Sequence, residues 1–303
     1  MQYDLITILG CTATGKTKLA VKLADNFNGE IISADSRQVY RGMNIGTGKD
    51  LSEYSINGKS IPYHLIDVID PKEEFNLYSF QQLFYKSYNL IKNNSHLPFL
   101  VGGTGLYLSS VLQKYKLNKA DFETQIQTLS LLTDNELRKI LKDLNPTLHN
   151  TTDLNDRARI IKAIAVSRAQ QNNIEKQTLN SFTIGVRLSR DEIKKRITAR
   201  LKKRLDEEGM IEEVKNLMHS GVKYDKMIYF GLEYKFIAQY LKSELNRNDM
   251  FQKLNSAIHS FAKRQMTWFR KIEKEGVVIN WIDGPDFKKA KELIERNLKF
   301  NFL

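Results

Sequence analysis

The chain has 303 residues, of which 41% are hydrophobic and 27% are charged, so it is long enough for one large domain or a domain with an insertion, and a disordered or collagen-like chain is excluded. Its 47 Lys and Arg exceed its 35 Asp and Glu, and the formal charge of +12 suits a polyanionic partner such as a nucleic acid or a phosphate compound. The single cysteine, Cys11, excludes an intramolecular disulfide and a zinc site built from cysteines.

The sequence predicts a cytoplasmic protein without membrane contact. No stretch approaches the roughly 18 apolar residues that a membrane helix needs. The apolar run at 5–9 is too short for the core of a signal peptide and has no basic leader. A buried strand explains this run better.

The first hundred residues alternate short apolar runs with longer amphipathic stretches, which is typical of a parallel sheet covered by helices. Apolar spacing predicts helices over 16–26 and 79–92. The predicted strands are LITIL at 5–9, EIISA at 30–34, HLIDV at 64–68 and PFLVG at 98–102. We therefore expect residues 1–116 to form the first part of an α/β core.

The character of the chain changes at about Asn118, where strands vanish and polar helical stretches dominate up to Asn180. We interpret residues 117–180 as a helical insertion, with breaks at Asn145-Pro146 and Asn172-Asn173. A connection of about sixty residues is longer than ordinary loops, which indicates a function. Residues 181–303 are predicted to complete the core with strands FTIGVRL at 182–188 and VVINWI at 277–282, and with long helical segments over 191–220 and 249–274.

A phosphate-binding loop follows the first predicted strand and precedes the first predicted helix. It fits the pattern G-x-x-x-x-G-K-[ST] with Gly10, Cys11, Thr12, Ala13, Thr14, Gly15, Lys16 and Thr17. The glycines let backbone N–H groups surround a diphosphate or triphosphate, Lys16 adds positive charge, and the Thr17 hydroxyl can bind Mg²⁺. The predicted fold is therefore a P-loop NTPase-like parallel sheet with a helical insertion and a helical C-terminal region.

A carboxylate stands at the end of the second predicted strand, where open α/β sheets bind their ligands. Asp35 is therefore expected to face the phosphate loop. It can hold Mg²⁺ through water, accept a proton from a nucleophile, or cap the next helix. The phosphate loop alone does not decide between kinases, NTPases and transferases, which all use it.

Five motifs together resemble the tRNA dimethylallyltransferase family, also called tRNA isopentenyltransferases. They are GCTATGKT at 10–17, DSRQVYRGMNIGTGK at 35–49, HLIDVIDP at 64–71, LVGGTGLYL at 100–108 and AKRQMTWFRK at 262–271. The resemblance implies transfer of a dimethylallyl group from dimethylallyl diphosphate to the exocyclic amine of the adenosine immediately 3′ of the tRNA anticodon, with Mg²⁺. The partners implied are tRNA and dimethylallyl diphosphate, and we expect a monomer.

The resemblance also implies roles for single residues. Asp35 matches the family's base, Lys16 and the phosphate loop would stabilise the leaving diphosphate, and Thr104 matches a residue that lines the reaction channel, although it can equally be a helix N-cap. The residues implied in tRNA binding are Asp35, Ser36, Arg37, Gln38, Thr104, Arg157, Arg159, Lys162 and Gln265.

Three positions depart from the family pattern. Lys162 replaces an expected Arg, Ala165 stands where the family usually has Glu, and Ile228 stands where many members have an Arg directed at the diphosphate. Either another cation compensates at the diphosphate, or turnover suffers. A basic run over 187–204 is interpreted as a solvated helix face, part of which follows RNA phosphates.

Three other functions fit parts of the pattern. A small P-loop kinase would use Arg157 and Arg159 as lid arginines on a transferred phosphoryl group. An adenylate isopentenyltransferase would act on free nucleotide, but the helical insertion favours a larger RNA substrate. A tRNA-binding paralogue would have lost catalysis with the missing Arg at position 228.

Overall fold

The computed structural model describes residues 3–56, 58–120, 122–144, 154, 156–169 and 179–297, with only the backbone of Glu123. The chain divides into two compact units, one of residues 1–114 and 179–303 and the other of residues 115–178. Among the described residues, no helix combines the length and apolar character that crossing a membrane requires.

The described part of the first unit contains a sheet of six parallel strands. They are β1 (Leu5–Gly10), β2 (Gly29–Ala34), β5 (Tyr63–His64), β6 (Leu97–Gly102), β7 (Ser181–Arg187) and β8 (Ile279–Asp283). Their order across the sheet is β5-β2-β6-β1-β7-β8, while β3 (Ser55–Ile56) and β4 (Lys59–Ser60) form a separate antiparallel pair. The predicted α/β class with a parallel sheet is confirmed. This order brings the loops after β1, β2 and β6 together at the carboxyl edge.

Helices surround the sheet and are the main elements of the described second unit. In chain order they are α1 (Lys16–Asn26), α2 (Leu77–Asn93), α3 (Gly105–Leu112), α4 (Phe122–Leu129), α5 (Asp134–Leu144), α6 (Arg157–Ala169), α7 (Arg190–Asp206), α8 (Met210–His219), α9 (Tyr224–Phe230), α10 (Leu232–Leu241), α11 (Arg247–Lys274) and α12 (Phe287–Asn297). A single 3₁₀ turn, Leu51–Tyr54, precedes β3.

The strand β1, one of the two central strands, buries side chains on both faces of the sheet because side chains alternate along a strand. Leu5 and Leu9 of β1 belong to the hydrophobic core on one face. Ile6 and Ile8 belong to the core on the other face. All four side chains are fully buried, which explains why this strand reads as an uninterrupted apolar run.

The strand predicted over 64–68 is wrong in extent, because only Tyr63 and His64 pair with β2. Leu65 and Asp67 adopt positive φ angles of 62° and 56°, which no strand contains. The Asp67 carboxylate instead accepts a hydrogen bond from the buried ammonium of Lys49. The segment after His64 is therefore a loop beside the sheet.

The helical segment predicted over 191–220 is two helices. α7 ends at Asp206 and α8 begins at Met210, after Gly209 with a φ of 79°. Glycine adopts this left-handed backbone at low cost, so the break is encoded locally. The helix predicted over 249–274 is confirmed as α11, which starts two residues earlier.

The second unit has its own small core. Leu137 and Leu141 of α5 pack with Ile160 and Ile164 of α6, all fully buried, and Leu129 of α4 completes the contact. The breaks predicted at 145–146 and 172–173 lie outside the described residues.

A buried carboxylate lies near the amino end of β2. Glu30 is 5% exposed, and its two oxygens meet His64 Nε2 at 2.6 Å and His96 Nδ1 at 2.5 Å. Burial raises the pKa of Glu30, but the hydrogen bonds from His96 and His64 outweigh this effect and hold its pKa below the ordinary value. The carboxylate therefore links three neighbouring strand segments.

We expect Glu30→Gln to lower the free energy of unfolding by about 1–3 kcal/mol at pH 7, the usual contribution of hydrogen bonds to a charged group. A carboxyl whose pKa is depressed by folding stabilises the fold above its unfolded pKa, and this contribution is lost as the pH falls through the folded pKa. The difference between the wild type and Glu30→Gln, measured by urea unfolding, should therefore shrink as the pH falls from 7 to 3. Glu295→Gln on the exposed surface of α12 is the control, and a gap that does not change with pH contradicts the assignment.

Candidate active site

The phosphate loop has the backbone that its sequence predicts. It joins β1 to α1, and Ala13 and Gly15 have positive φ angles of 67° and 83°. The Thr14 hydroxyl donates to the Cys11 carbonyl oxygen at 2.9 Å. A Cβ atom at Gly10 would lie 2.8 Å from the Val186 carbonyl oxygen, so a larger residue would displace the loop from β7. The loop and the first turn of α1 thus form a cradle for an anion.

Two side chains at the start of α1 complete this cradle. Lys16 Nζ lies 3.4 Å from the Cys11 carbonyl oxygen. Burial lowers the pKa of Lys16, and the Asp35 carboxylate opposes this shift most strongly. Thr17 and Lys16 line one cavity together with the phosphate loop and Asp35. Among the described residues there is no group of three His, Cys, Asp or Glu side chains for a metal. The Thr17 hydroxyl is an oxygen donor of the kind that Mg²⁺ prefers.

Arg200 is a cation of the cavity that sequence reasoning missed. It lies on α7, and its guanidinium donates to the Thr12 hydroxyl of the phosphate loop. Burial, and then the neighbouring Arg204, lowers the pKa of Arg200 to about 10, so the side chain stays charged at neutral pH. Arg204 in turn pairs with Asp50 at 3.2 Å.

The basic run over 187–204 is therefore not a uniform solvated face. Arg200 and Arg204 line the cavity, whereas Lys194, Lys195 and Lys202 are exposed. The signal was present in the sequence, because positions 200 and 204 are one helical turn apart and flank Leu201, which packs in the core.

Asp35 directly follows β2 and lies in the same cavity as the phosphate loop. Its Oδ1 accepts a hydrogen bond from the Arg37 backbone N–H at 3.0 Å. No helix begins within the described residues 36–50, so Asp35 does not cap a helix and its carboxylate stabilises a turn instead. The other oxygen, Oδ2, takes no part in the hydrogen bond to Arg37.

Thr104 occupies the N-cap position of α3 but does not cap the helix with its side chain. Its Oγ1 accepts from the Ser36 backbone N–H at 3.0 Å, and its own backbone N–H donates to the Ala34 carbonyl oxygen at 3.1 Å. Thr104 therefore fastens the turn that carries Asp35 to the glycine turn after β6.

Gln38 and Arg37 use their side chains within the protein. The Gln38 carboxamide accepts from Ser33 Oγ at 2.9 Å and donates to the Gly48 carbonyl oxygen at 3.1 Å. Arg37 pairs with Glu233 of α10. The roles of Gln38 and Arg37 in tRNA binding stay predictions.

Gln265 on α11 joins the two glycine turns of the site. Its Oε1 accepts from the Thr12 backbone N–H at 2.9 Å, and its Nε2 donates to the Gly103 carbonyl oxygen at 2.8 Å. A Cβ atom at Gly103 would lie 2.3 Å from this nitrogen, which explains the glycine. One turn later on α11, Trp268 Nε1 donates to Ser109 Oγ at 2.8 Å.

Glu213 on α8 holds the loop that follows the Asp35 turn. Its carboxylate accepts from the backbone N–H groups of Asn44, Ile45 and Gly46 at 2.8, 2.6 and 3.0 Å. It also accepts from the Tyr234 hydroxyl at 2.8 Å. Burial first, and then the Glu213 carboxylate, raise the pKa of Tyr234.

The remaining predicted residues lie elsewhere. Arg157, Arg159 and Lys162 are on α6 of the second unit, with Arg159 and Lys162 exposed. The Arg157 guanidinium donates to Asp134 at 2.5 Å and to two carbonyl oxygens, so it braces that unit. Ala165 is buried in the core of the unit, and Ile228 lies on α9 outside the residues that line the cavity.

A protein-family model described as IPP transferase matches residues 38–272. The chain is 50% identical to tRNA dimethylallyltransferase 1 of Geotalea uraniireducens, over 98% of this chain and 99% of that protein. It is 46% identical to tRNA dimethylallyltransferase 1 of Syntrophus aciditrophicus, over 99% of this chain and the whole of that protein.

Two solved structures have a fold similar to that of this chain. The full-length tRNA isopentenylpyrophosphate transferase of Bacillus halodurans has a TM-score of 0.68 and 34% identity, over 96% of this chain and 93% of that chain. A eukaryotic dimethylallyltransferase acting on tRNA has a TM-score of 0.74 and 23% identity, over 96% of this chain and 77% of that chain, and this likeness concerns the fold.

We expect Glu213→Gln to lower the free energy of unfolding by about 1–3 kcal/mol, because a carboxamide cannot accept all of these hydrogen bonds and turns an N–H group toward backbone donors. Glu212→Gln, on the exposed side of the same helix turn, should change the free energy by no more than about 0.5 kcal/mol. Urea unfolding of both variants decides this. Equal stability of the two variants would show that the loop does not depend on Glu213.

Proposed function

Because the chain belongs to the IPP transferase family, we propose that it transfers a dimethylallyl group from dimethylallyl diphosphate to tRNA. We further propose that the acceptor is the exocyclic amine of the adenosine immediately 3′ of the anticodon. The observation that carries this proposal is that one cavity contains an anion cradle, built from the phosphate loop and Arg200, and the Asp35 carboxylate, whose Oδ2 accepts no hydrogen bond from the described residues.

The diphosphate end of the reaction needs positive charge. When the bond between the allylic carbon and the diphosphate oxygen breaks, the electron pair leaves with the diphosphate, so stabilising this leaving group lowers the barrier. Lys16, Arg200 and the backbone N–H groups of the phosphate loop would supply that stabilisation. Mg²⁺, held by the Thr17 hydroxyl and by phosphate oxygens, would neutralise further charge.

Arg200 answers the question that Ile228 raises. The position of Ile228 leaves the diphosphate without one expected cation, and Arg200 reaches the phosphate loop from another helix. Its charge at neutral pH supports this role. We therefore propose that Arg200 is the compensating cation. The missing Arg at position 228 then no longer argues for a tRNA-binding paralogue without catalysis.

The acceptor end needs a base. As the bond between the allylic carbon and the adenine amine forms, the amine becomes acidic and must lose a proton. We propose that Asp35 accepts this proton, while Thr104 fixes the turn that carries it. The target adenosine has to leave the anticodon stack to reach this cavity, as in other enzymes that modify a base.

The tRNA partner fits the charge of the chain. The net charge of +12 favours a polyanion, and the exposed Arg159 and Lys162 of α6 are proposed to contact RNA phosphates. We also propose that the enzyme acts as a monomer.

The direct test is a transfer assay with the full chain, dimethylallyl diphosphate, MgCl₂ and unmodified tRNA, followed by digestion and mass analysis of the nucleosides. We expect one adenosine to gain a five-carbon alkenyl group and the same tRNA with guanosine at that position to gain nothing. Binding of tRNA without any mass gain would overturn the transferase proposal in favour of a binding protein. Transfer of the ATP γ-phosphate in a parallel reaction would favour a kinase.

We expect Asp35→Asn to slow the chemical step by roughly 10²–10⁴-fold, the usual contribution of a general base. The dissociation constants of both substrates should change little, because the amide keeps the size of the side chain and the anion cradle is untouched. Single-turnover rates at saturating tRNA measure this, with Asp25→Asn outside the cavity as a control. A rate near that of the wild type would make Asp35 structural, and a loss of Mg²⁺ affinity would make it a metal ligand.

A further inference from the structure

An ion pair of low exposure lies inside the reaction cavity. Arg37 Nη1 donates to Glu233 Oε2 at 2.5 Å, and the two side chains are only 16% and 6% exposed. Both residues line the cavity that also contains Asp35 and Lys16. A charge pair removed from water carries a desolvation cost, so its presence at a reaction site calls for an explanation in terms of the site.

Local backbone geometry directs Glu233 into the cavity. Gly231, between α9 and α10, and Leu232, the first residue of α10, have positive φ angles of 69° and 43°. For leucine this left-handed conformation is uncommon and strained, and such strain concentrates at functional sites. The residue after Glu233 is Tyr234, whose hydroxyl donates a hydrogen bond to Glu213. The first turn of α10 is therefore fixed, and so is the place where the Glu233 carboxylate meets Arg37.

A third group confines the Arg37 guanidinium. The ring of Phe261, on α11, has its centroid 5.8 Å from the guanidinium carbon, which is within the range of a cation–π contact. Phe261 lies one helical turn before Gln265, which binds the phosphate loop. Arg37 is thus held by a carboxylate and by an aromatic ring.

Asp35 is the second carboxylate that acts on Arg37. Burial lowers the pKa of Arg37, but Glu233 first and then Asp35 outweigh burial and hold its pKa above the ordinary value. The two residues are also joined locally, because the Arg37 backbone N–H donates to Asp35 Oδ1. Without Glu233, the guanidinium would have Asp35 as its remaining carboxylate partner. A guanidinium bound to Asp35 would occupy its oxygens and weaken it as a base.

We propose that Glu233 is a positioning residue that holds the Arg37 guanidinium away from Asp35 and so leaves the Asp35 carboxylate free to accept the proton of the adenine amine. This inference rests on the proposed function. Glu233 touches neither substrate in this scheme and acts on Asp35 through Arg37, while its charge also favours the charged form of Arg200. The bond changes are those of the transfer itself, and the proton ends on Asp35.

A double-variant cycle tests this proposal, with Glu233→Gln, Arg37→Met and both changes together. Single-turnover transfer from dimethylallyl diphosphate is measured at saturating tRNA, and both dissociation constants are measured separately. Glu233→Gln should slow transfer by on the order of 10–100-fold, part of the contribution of a general base, and change both dissociation constants by less than about threefold. In the Arg37→Met background, Glu233→Gln should change the rate by less than about threefold, because no guanidinium remains to block Asp35.

The rates of the variants distinguish the possible outcomes. A wild-type rate for Glu233→Gln overturns the proposal, and so does a double variant that is slower than Arg37→Met by the same factor by which Glu233→Gln is slower than the wild type. If Glu233→Gln alone fails to fold because Arg37 is left buried without a partner, the comparison within the Arg37→Met background still stands, and a large effect of Glu233→Gln there overturns the proposal. Failure of the wild type to modify tRNA would instead contradict the proposed function, so the two failures are distinguishable.

Discussion

The carboxamide of Gln265 is the interaction on which the site depends. One end binds the backbone of Thr12 in the phosphate loop, and the other binds the backbone of Gly103 in the turn after β6. These turns follow neighbouring parallel strands, so the sheet brings them together, and Gln265 joins them from outside the sheet. A group transfer needs this separation to be constant, because misplacing the reacting groups by about 1 Å can reduce the rate by 10²-fold.

Charge is divided between the two sides of the cavity. Lys16, Arg200 and Arg204 provide positive charge around the phosphate loop, which suits a leaving diphosphate. On the other side, Asp35 keeps one oxygen outside its turn, and the charge of Arg37 is matched by Glu233. Burial makes each of these charges costly unless it is paired, so the pairing within the cavity determines which carboxylate remains available.

The strands and the residues that directly follow them were predictable from the sequence, because a parallel sheet always brings the carboxyl ends of its strands to one edge. The sequence accordingly placed Asp35 opposite the phosphate loop, whereas Thr104 was assigned to the site through the resemblance to the family. Arg200, Glu213 and Glu233 were not identified, because they lie on α7, α8 and α10 and reach the site only through helix packing over long sequence separations. Arg200 and Glu233 line the cavity, and Glu213 holds the loop at 44–46. The short strand at His64 failed for another reason, since the left-handed Leu65 has no signature in an apolar run.

The most direct test of this account is the single-turnover rate of Gln265→Leu at saturating dimethylallyl diphosphate and tRNA. Leucine fills similar space but leaves the Thr12 N–H and the Gly103 carbonyl oxygen without these partners, so the phosphate loop and the glycine turn after β6 lose their common brace. The Asp35 turn is fastened to that glycine turn through Thr104. The account predicts that the rate falls by on the order of 10²-fold, while Lys263→Leu on the exposed face of α11 keeps the wild-type rate. A Gln265→Leu enzyme that transfers the dimethylallyl group as fast as the wild type would contradict it.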